Sequence, residues 1–212
     1  MNKPVIILGG GGHAKVLVDT LLNASVEIKG IIDPNPQLAK TFILGVPVLG
    51  NDDIINDYQP EEIRLVNGIG SVGVPTRRHG LFARFTKAGY RFATVIHPSV
   101  VIASDVVLGE GTQVMAGVVV QPGCCIGRNA IINTRVTIDH DCTIGDHVHI
   151  APGGTLSGGV MVGDSCHIGT AATVIQGISI GAESIVGAGA VVVQDVTGGT
   201  TVVGVPAKVV NR

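Results

Sequence analysis

Isoleucine, leucine or valine stands at every sixth position from Ile102 to Val192, sixteen times without a break. Two residues before each lies a smaller side chain, as at Val100, Val106, Thr112, Val118, Cys124, Ala130, Val136, Cys142 and Val148. A period of six suits neither an amphipathic helix nor a simple hairpin strand. It predicts a parallel β-helix of hexapeptide repeats, each repeat giving one short strand and one corner. Three repeats close a triangular coil of 18 residues. Because strand side chains alternate, the large and small positions both point inward and stack into one narrow core. Residues one coil apart then lie above one another at about 4.8 Å. Glycine often follows the large residue, as at Gly109, Gly127, Gly145, Gly163, Gly169, Gly181 and Gly187. There it is expected to ease the backbone into the corner.

A stacked aliphatic core also accounts for a chain of 212 residues with 31 glycines, 3% aromatics and no tryptophan. Charged residues make up 14% and the net charge is −2, which gives no electrostatic pull toward nucleic acid or an anionic membrane. The opening apolar run is too short for a signal peptide, and no stretch approaches the length of a membrane span. Four cysteines without metal-binding spacing indicate free thiols in a reducing compartment. The expectation is a soluble, cytoplasmic protein.

Residues 1–95 follow a different rhythm. "PVIILGGGGHAKVLVDTLLN" reads as strand, glycine loop and helix, "EIKGIID" as a second strand ending at Asp33, and "EIRLVNGIG" as a third. "PTRRHGLFARFTKAGY" places proline before a helix and glycine after it. Strands alternating with helices predict a small Rossmann-like α/β domain over 1–95, followed by an all-β β-helix over 96–212. Glycines at the loop let backbone amides approach an anion at a helix N-terminus. Lys15 adds charge there, and Asp33 is placed for a ribose or base hydrogen bond. The same pattern also serves as a tight βα turn without a ligand.

The stretch "RVTIDHDCTIGDHVHIAPGG" gathers three histidines and three aspartates. His149 and His167 are one coil apart and should stack on one outer face. His140 precedes His149 by nine residues, half a coil, so the two belong to different parts of the perimeter, about 10 Å or more apart. They could meet only across an interface between two copies. Trimeric β-helix enzymes of the γ-carbonic anhydrase type hold zinc with two ligands five residues apart and a third much earlier. The order here differs, and no metal is expected. His147, beside Asp146 at a corner, reads as solvated, as do His79 and His97. His140 is flanked by Asp139 and Asp141, and a carboxylate on one imidazole nitrogen raises the basicity of the other. That arrangement suits a general base.

"VIILGGGGHAKVLVDTL", "IHPSVVI", "NTRVTIDHDCTIGDHVHIAPG" and "VVGVPAKVV" together resemble the nucleotide-sugar N-acetyltransferases of the left-handed β-helix superfamily, including the bacillosamine and perosamine types. The resemblance covers nearly the whole chain and implies the left-handed sense of the helix. It implies acetyl-CoA as co-substrate, a nucleotide-linked 4-amino-4,6-dideoxyhexose as acceptor, and a homotrimer with active sites between subunits. In this reading His140 is the general base and Asp141 orients it, with Asp139 open to share that role. Asn133 faces the sugar. Gly10, Gly11, Gly12, His13 and Lys15 hold the diphosphate, and Asp33 contacts the nucleotide. From the neighbouring subunit, His149 sits by the acetyl carbonyl and Gly158 by the pantetheine arm. Thr170 and Ala188 lie farther along the CoA groove, and Lys208 meets CoA phosphates. O-acetylation of a sugar hydroxyl is the alternative chemistry, and a non-catalytic sugar-nucleotide-binding protein the alternative class. Cys124, Cys142 and Cys166 read as core filler, and Cys125 as outward-facing.

Overall fold

The computed structural model describes residues 3–210. They form two compact units: the chain up to Gly70 together with Thr76–Pro98, and Ser71–Pro75 together with the chain from Ser99 onward.

In the first unit, strand β1 (Val5–Leu8) is buried along its whole length because it has a parallel neighbour on each side. These neighbours are β2 (Ile28–Ile32) and β5 (Arg64–Asn67), and a hairpin of β3 (Phe42–Ile43) and β4 (Val46–Gly50) completes the order β3-β4-β2-β1-β5. Only the β3–β4 pair is antiparallel. The hairpin is absent from the sequence reading. Its turn runs through Leu44 and Gly45 at φ +48° and +81°, and leucine is an unusual residue in that conformation. Helix α1 (Gly12–Asn23) buries Ala14, Leu17, Val18 and Leu21, one stripe at helical spacing. Helix α2 (Thr76–Lys87) follows Pro75 as its sequence signals predict. All four phenylalanines and both tyrosines belong to this unit, where Phe82, Phe85, Tyr90 and Phe92 pack under the sheet.

The second unit is a parallel β-helix. Through most of its length each two-residue strand pairs with the strand 18 residues on, as in Thr137↔Thr155, Thr143↔Met161 and His149↔His167, while the last coil closes with a spacing of 16, as in Ile185↔Thr201. The aliphatic series from Val114 to Val192 is buried, with Ile102 and Leu108 packed partly against it. Cys124, Cys142 and Cys166 fill small inward positions, while Cys125 is exposed. Burial pushes the thiols of Cys142 and Cys166 up to about 11, so they are poor nucleophiles.

Corners carry a regular signature. Every sixth residue from Gly111 to Gly189 has φ between +53° and +77°, including Asn129, Arg135, Asp141 and His147. This corrects the role expected for the glycines after the large aliphatic residues, which lie two residues earlier. Cβ atoms at Gly109, Gly127 and Gly163 would each come within 2.6 Å of backbone atoms of the next coil. Those glycines are required by coil-to-coil approach rather than by the turn.

Candidate active site

Three groups of functional side chains are built on this scaffold. In the first unit, β1 ends in Gly9, where the chain turns at φ +97° before α1 begins. The Gly10 amide donates to Asp33 Oδ2 at 2.7 Å, and the Asn35 amide donates to Asp33 Oδ1 at 2.8 Å. Asp33 therefore anchors the glycine loop to the end of β2, in addition to bordering the cavity beside it. No heavy atom lies within 4 Å of where a Cβ would stand on Gly11 or Gly12, so the backbone entering α1 is accessible. Amides in the first turn of a helix have no carbonyl one turn back, which makes this end anion-attracting.

The loop has a cavity on each side. One, of about 610 Å³, is lined by Gly11, Gly12, His13, Asp33, Asn35 and Arg77 among others. The other, of about 360 Å³, takes Lys15 together with Leu38, Phe42 and Leu44. The structure thus separates His13 from Lys15. Arg77 is missing from the sequence reading. It lies in the first turn of α2, and no motif marked it. The wall opposite the glycine loop, Gly68–Gly70, is held by buried Arg78, whose Nη1 donates to the carbonyls of Asn67 and Ile69 at 2.7 and 2.8 Å. Burial lowers the Arg78 guanidinium to about 9.

The second group is the corner of His140. Its Nδ1 lies 2.8 Å from Asp141 Oδ2, and its backbone amide donates to Asp139 Oδ1 at 2.8 Å. Asp141 thus meets the imidazole at Nδ1, and Asp139 fixes the backbone. Hydrogen bonding to Asp141 raises the imidazole pKa above its usual 6.5, and the charge of Asp139 adds to this. Asp141 reaches its partner from a left-handed corner conformation at φ +60°. One coil on, Gly158 lies against the imidazole: a Cβ there would stand 2.5 Å from Nε2. Gly158 thus joins His140 in its own chain, instead of accompanying His149 as the sequence reading placed it.

The third group lies on the face formed by Ile131–Ile132, His149–Ile150, His167–Ile168 and Ile185–Val186. His140 sits at the corner between the other two faces, opposite this one. His149 and His167 stack as expected, with ring centroids 5.0 Å apart and planes at 78°. Asn133 lies 3.1 Å from His149 Nε2 through its amide nitrogen. Asn133 follows the neighbouring strand of the His149 face, which brings it beside that ring. Ser71 reaches the other side of the ring, its carbonyl and hydroxyl oxygens each 3.0 Å from Nδ1. A cavity of about 470 Å³ opens here, lined by His149, His167, Thr170 and Ala188 and by Val72 and Gly73. Lys208 lies apart from this lining, exposed on a terminal strand paired antiparallel with Thr201–Val203.

His147 departs from its expectation. It is buried, and its Nδ1 lies 2.9 Å from the amide nitrogen of Asn129, one coil below. Corner residues one coil apart stack, so a polar pair there shields itself. His79 is exposed and His97 half-buried. Among the described residues no cluster of His, Cys, Asp or Glu could hold a metal ion, and no helix is long and apolar enough to cross a membrane.

Comparison with known proteins gives two family matches, the PglD N-terminal domain over residues 4–81 and the bacterial transferase hexapeptide (six repeats) over 105–140. A UDP-N-acetylbacillosamine N-acetyltransferase from Bacillus subtilis is 36% identical over 119 residues. That match spans 54% of this chain and only about half, 52%, of the relative. Solved structures match over the full length. A histidine-to-asparagine mutant of perosamine N-acetyltransferase from Caulobacter crescentus, in complex with CoA and GDP-perosamine, is 40% identical with a TM-score of 0.91, covering 99% of this chain and 97% of that one. The acetyltransferase domain of PglB from Neisseria gonorrhoeae is 33% identical with a TM-score of 0.91, covering 99% of this chain and 100% of that one. The chain belongs to this family of nucleotide-sugar N-acetyltransferases. As a family member it has the expected architecture, an α/β domain followed by a left-handed parallel β-helix. Its His140 corner, glycine loop and His149 face are the places where the family's chemistry has to be sought.

Proposed function

We propose that this chain transfers the acetyl group of acetyl-CoA to the 4-amino group of a nucleotide-linked 4-amino-4,6-dideoxyhexose. The observation that carries the reading is the 2.8 Å pair of His140 Nδ1 and Asp141. It keeps the proton on Nδ1 and leaves the Nε2 lone pair as base. The amine nitrogen attacks the thioester carbon, and the carbonyl electrons move onto oxygen. Nε2 takes the proton that the nitrogen loses. Collapse of the tetrahedral adduct expels CoA as its thiolate.

The glycine loop and His13 would hold the diphosphate at the start of α1, with the Asp33–Asn35 rim toward the nucleoside. Acyl-CoA would occupy the cavity of His149, Thr170 and Ala188, where Gly169 and Gly187 let a thin pantetheine arm approach the backbone. Gly158 would border the arm near His140, and Lys208 would meet the phosphates. Because His140 occupies the corner opposite that face, a neighbouring copy must supply the acyl cavity, and a homotrimer meets this need. Relatives solved with CoA and GDP-perosamine support the substrate class.

The test is thiol release from acetyl-CoA in the presence of 4-amino sugars linked to UDP, GDP or dTDP. One nucleotide series should release CoA in step with an N-acetylated product stable to mild base. A base-labile product would assign O-acetyl transfer instead. Absence of turnover with every series would contradict the reading.

A further inference from the structure

His149 and His167 occupy equivalent positions on successive coils, yet their hydrogen-bonding states are opposite. The amide of Asn133 is oriented by Thr134, whose backbone N–H donates to Asn133 Oδ1 at 2.8 Å. Its NH2 group therefore faces His149 Nε2 and donates to it. With that lone pair engaged, the His149 proton resides on Nδ1, directed at the Ser71 oxygens. His149 thus offers no N–H to a carbonyl in the cavity.

His167 is the complement. Its Nδ1 is buried and has no hydrogen-bond partner. A proton placed there would be stranded, which costs far more than placing it on Nε2 where solvent or ligand can reach it. Burial lowers the pKa of the ring below 6.5, so the imidazole is neutral at pH 7. It lines the cavity between His149 and Ile185. A neutral ring with one usable N–H, on an apolar wall, is a carbonyl hook.

We infer that His167 is an acyl-donor-binding residue whose Nε2–H donates to a carbonyl oxygen of the acyl-pantetheine, either a pantetheine amide or the thioester. The inference rests on the reading that this cavity takes the acyl donor. It transfers to His167 the carbonyl contact that sequence reasoning gave to His149. It leaves His149 the task of closing the wall through Asn133 and Ser71.

Isothermal titration of CoA and acetyl-CoA into wild type, His167→Phe and His167→Gln tests this. Phenylalanine keeps the ring shape without a donor, and glutamine restores a donor. His167→Phe should bind roughly 3- to 15-fold more weakly, the loss expected for one neutral hydrogen bond. Its melting temperature should hold or rise, since an unpaired buried nitrogen is removed. His167→Gln should recover much of the affinity. Equal weakening for both ligands locates the contact at an amide, and weakening for acetyl-CoA alone locates it at the thioester. If wild type binds and His167→Phe binds as tightly, the inference fails while the reading of the cavity stands. If wild type binds neither ligand, both fall together.

Discussion

In the proposed mechanism, proton transfer at a single imidazole sets the chemistry at the smallest scale. Because hydrogen bonding to Asp141 raises its pKa, His140 in the proposed role of base would lose activity as pH falls through that value. The acidic limb of kcat/KM should therefore lie above pH 6.5. His140→Asn should reduce kcat by about 10²–10⁴-fold and abolish that limb. Asp141→Asn removes the group that does most to raise the pKa, so its limb should shift downward, with a smaller loss of rate. Gly158→Ala tests the geometry from the other side, because its Cβ would stand 2.5 Å from Nε2. The exposed imidazole can swing away, so kcat should fall while the melting temperature stays nearly constant. A variant with full activity would show that the ring has no need of that surface. The His140–Asp141 pair was legible in "DHD" because adjacent residues reach one another on a turn. The Asn133–His149–Ser71 chain was not, because Ser71 is 78 residues from His149 in sequence and no local pattern links them.

Coils and loops hold these side chains in register. The period of six was sufficient to place the strands from Val101 to Val192, since a single repeated geometry leaves no choice of partner, whereas the closing strands Thr201–Val203 and Lys208–Val210 lie outside it. It was insufficient to assign the glycines, because contact with the next coil and left-handed turning both select the same residue. Gly127→Ala separates the two causes: its Cβ would meet the Asp146 amide nitrogen at 2.6 Å while its own φ is unremarkable. We predict destabilisation on the order of 1–3 kcal/mol, read as a lower midpoint in urea unfolding. An unchanged midpoint would return the glycine to a turning role. In the α/β unit, the strand–loop–helix start was visible from its glycines. The β3–β4 hairpin and the Arg78 anchor were hidden, because neither has a characteristic local spacing.

For the whole molecule, the decisive feature is that His140 and the His149 cavity belong to opposite sides of one prism. In the proposed mechanism a single copy would offer a base without an acyl donor and an acyl donor without a base. The nine-residue spacing motivates the proposed interface, and the separation of the two groups across one prism supports it. The measurement that bears on it most directly mixes two impaired variants, His140→Asn and Ala188→Trp, the second blocking the proposed acyl cavity at an exposed position. After co-refolding, some interfaces pair an intact His140 with an intact cavity from the neighbouring copy. The account predicts that the mixed oligomers regain activity well above the residual level of either parent. Mixed oligomers that form and stay as inactive as their parents would contradict it.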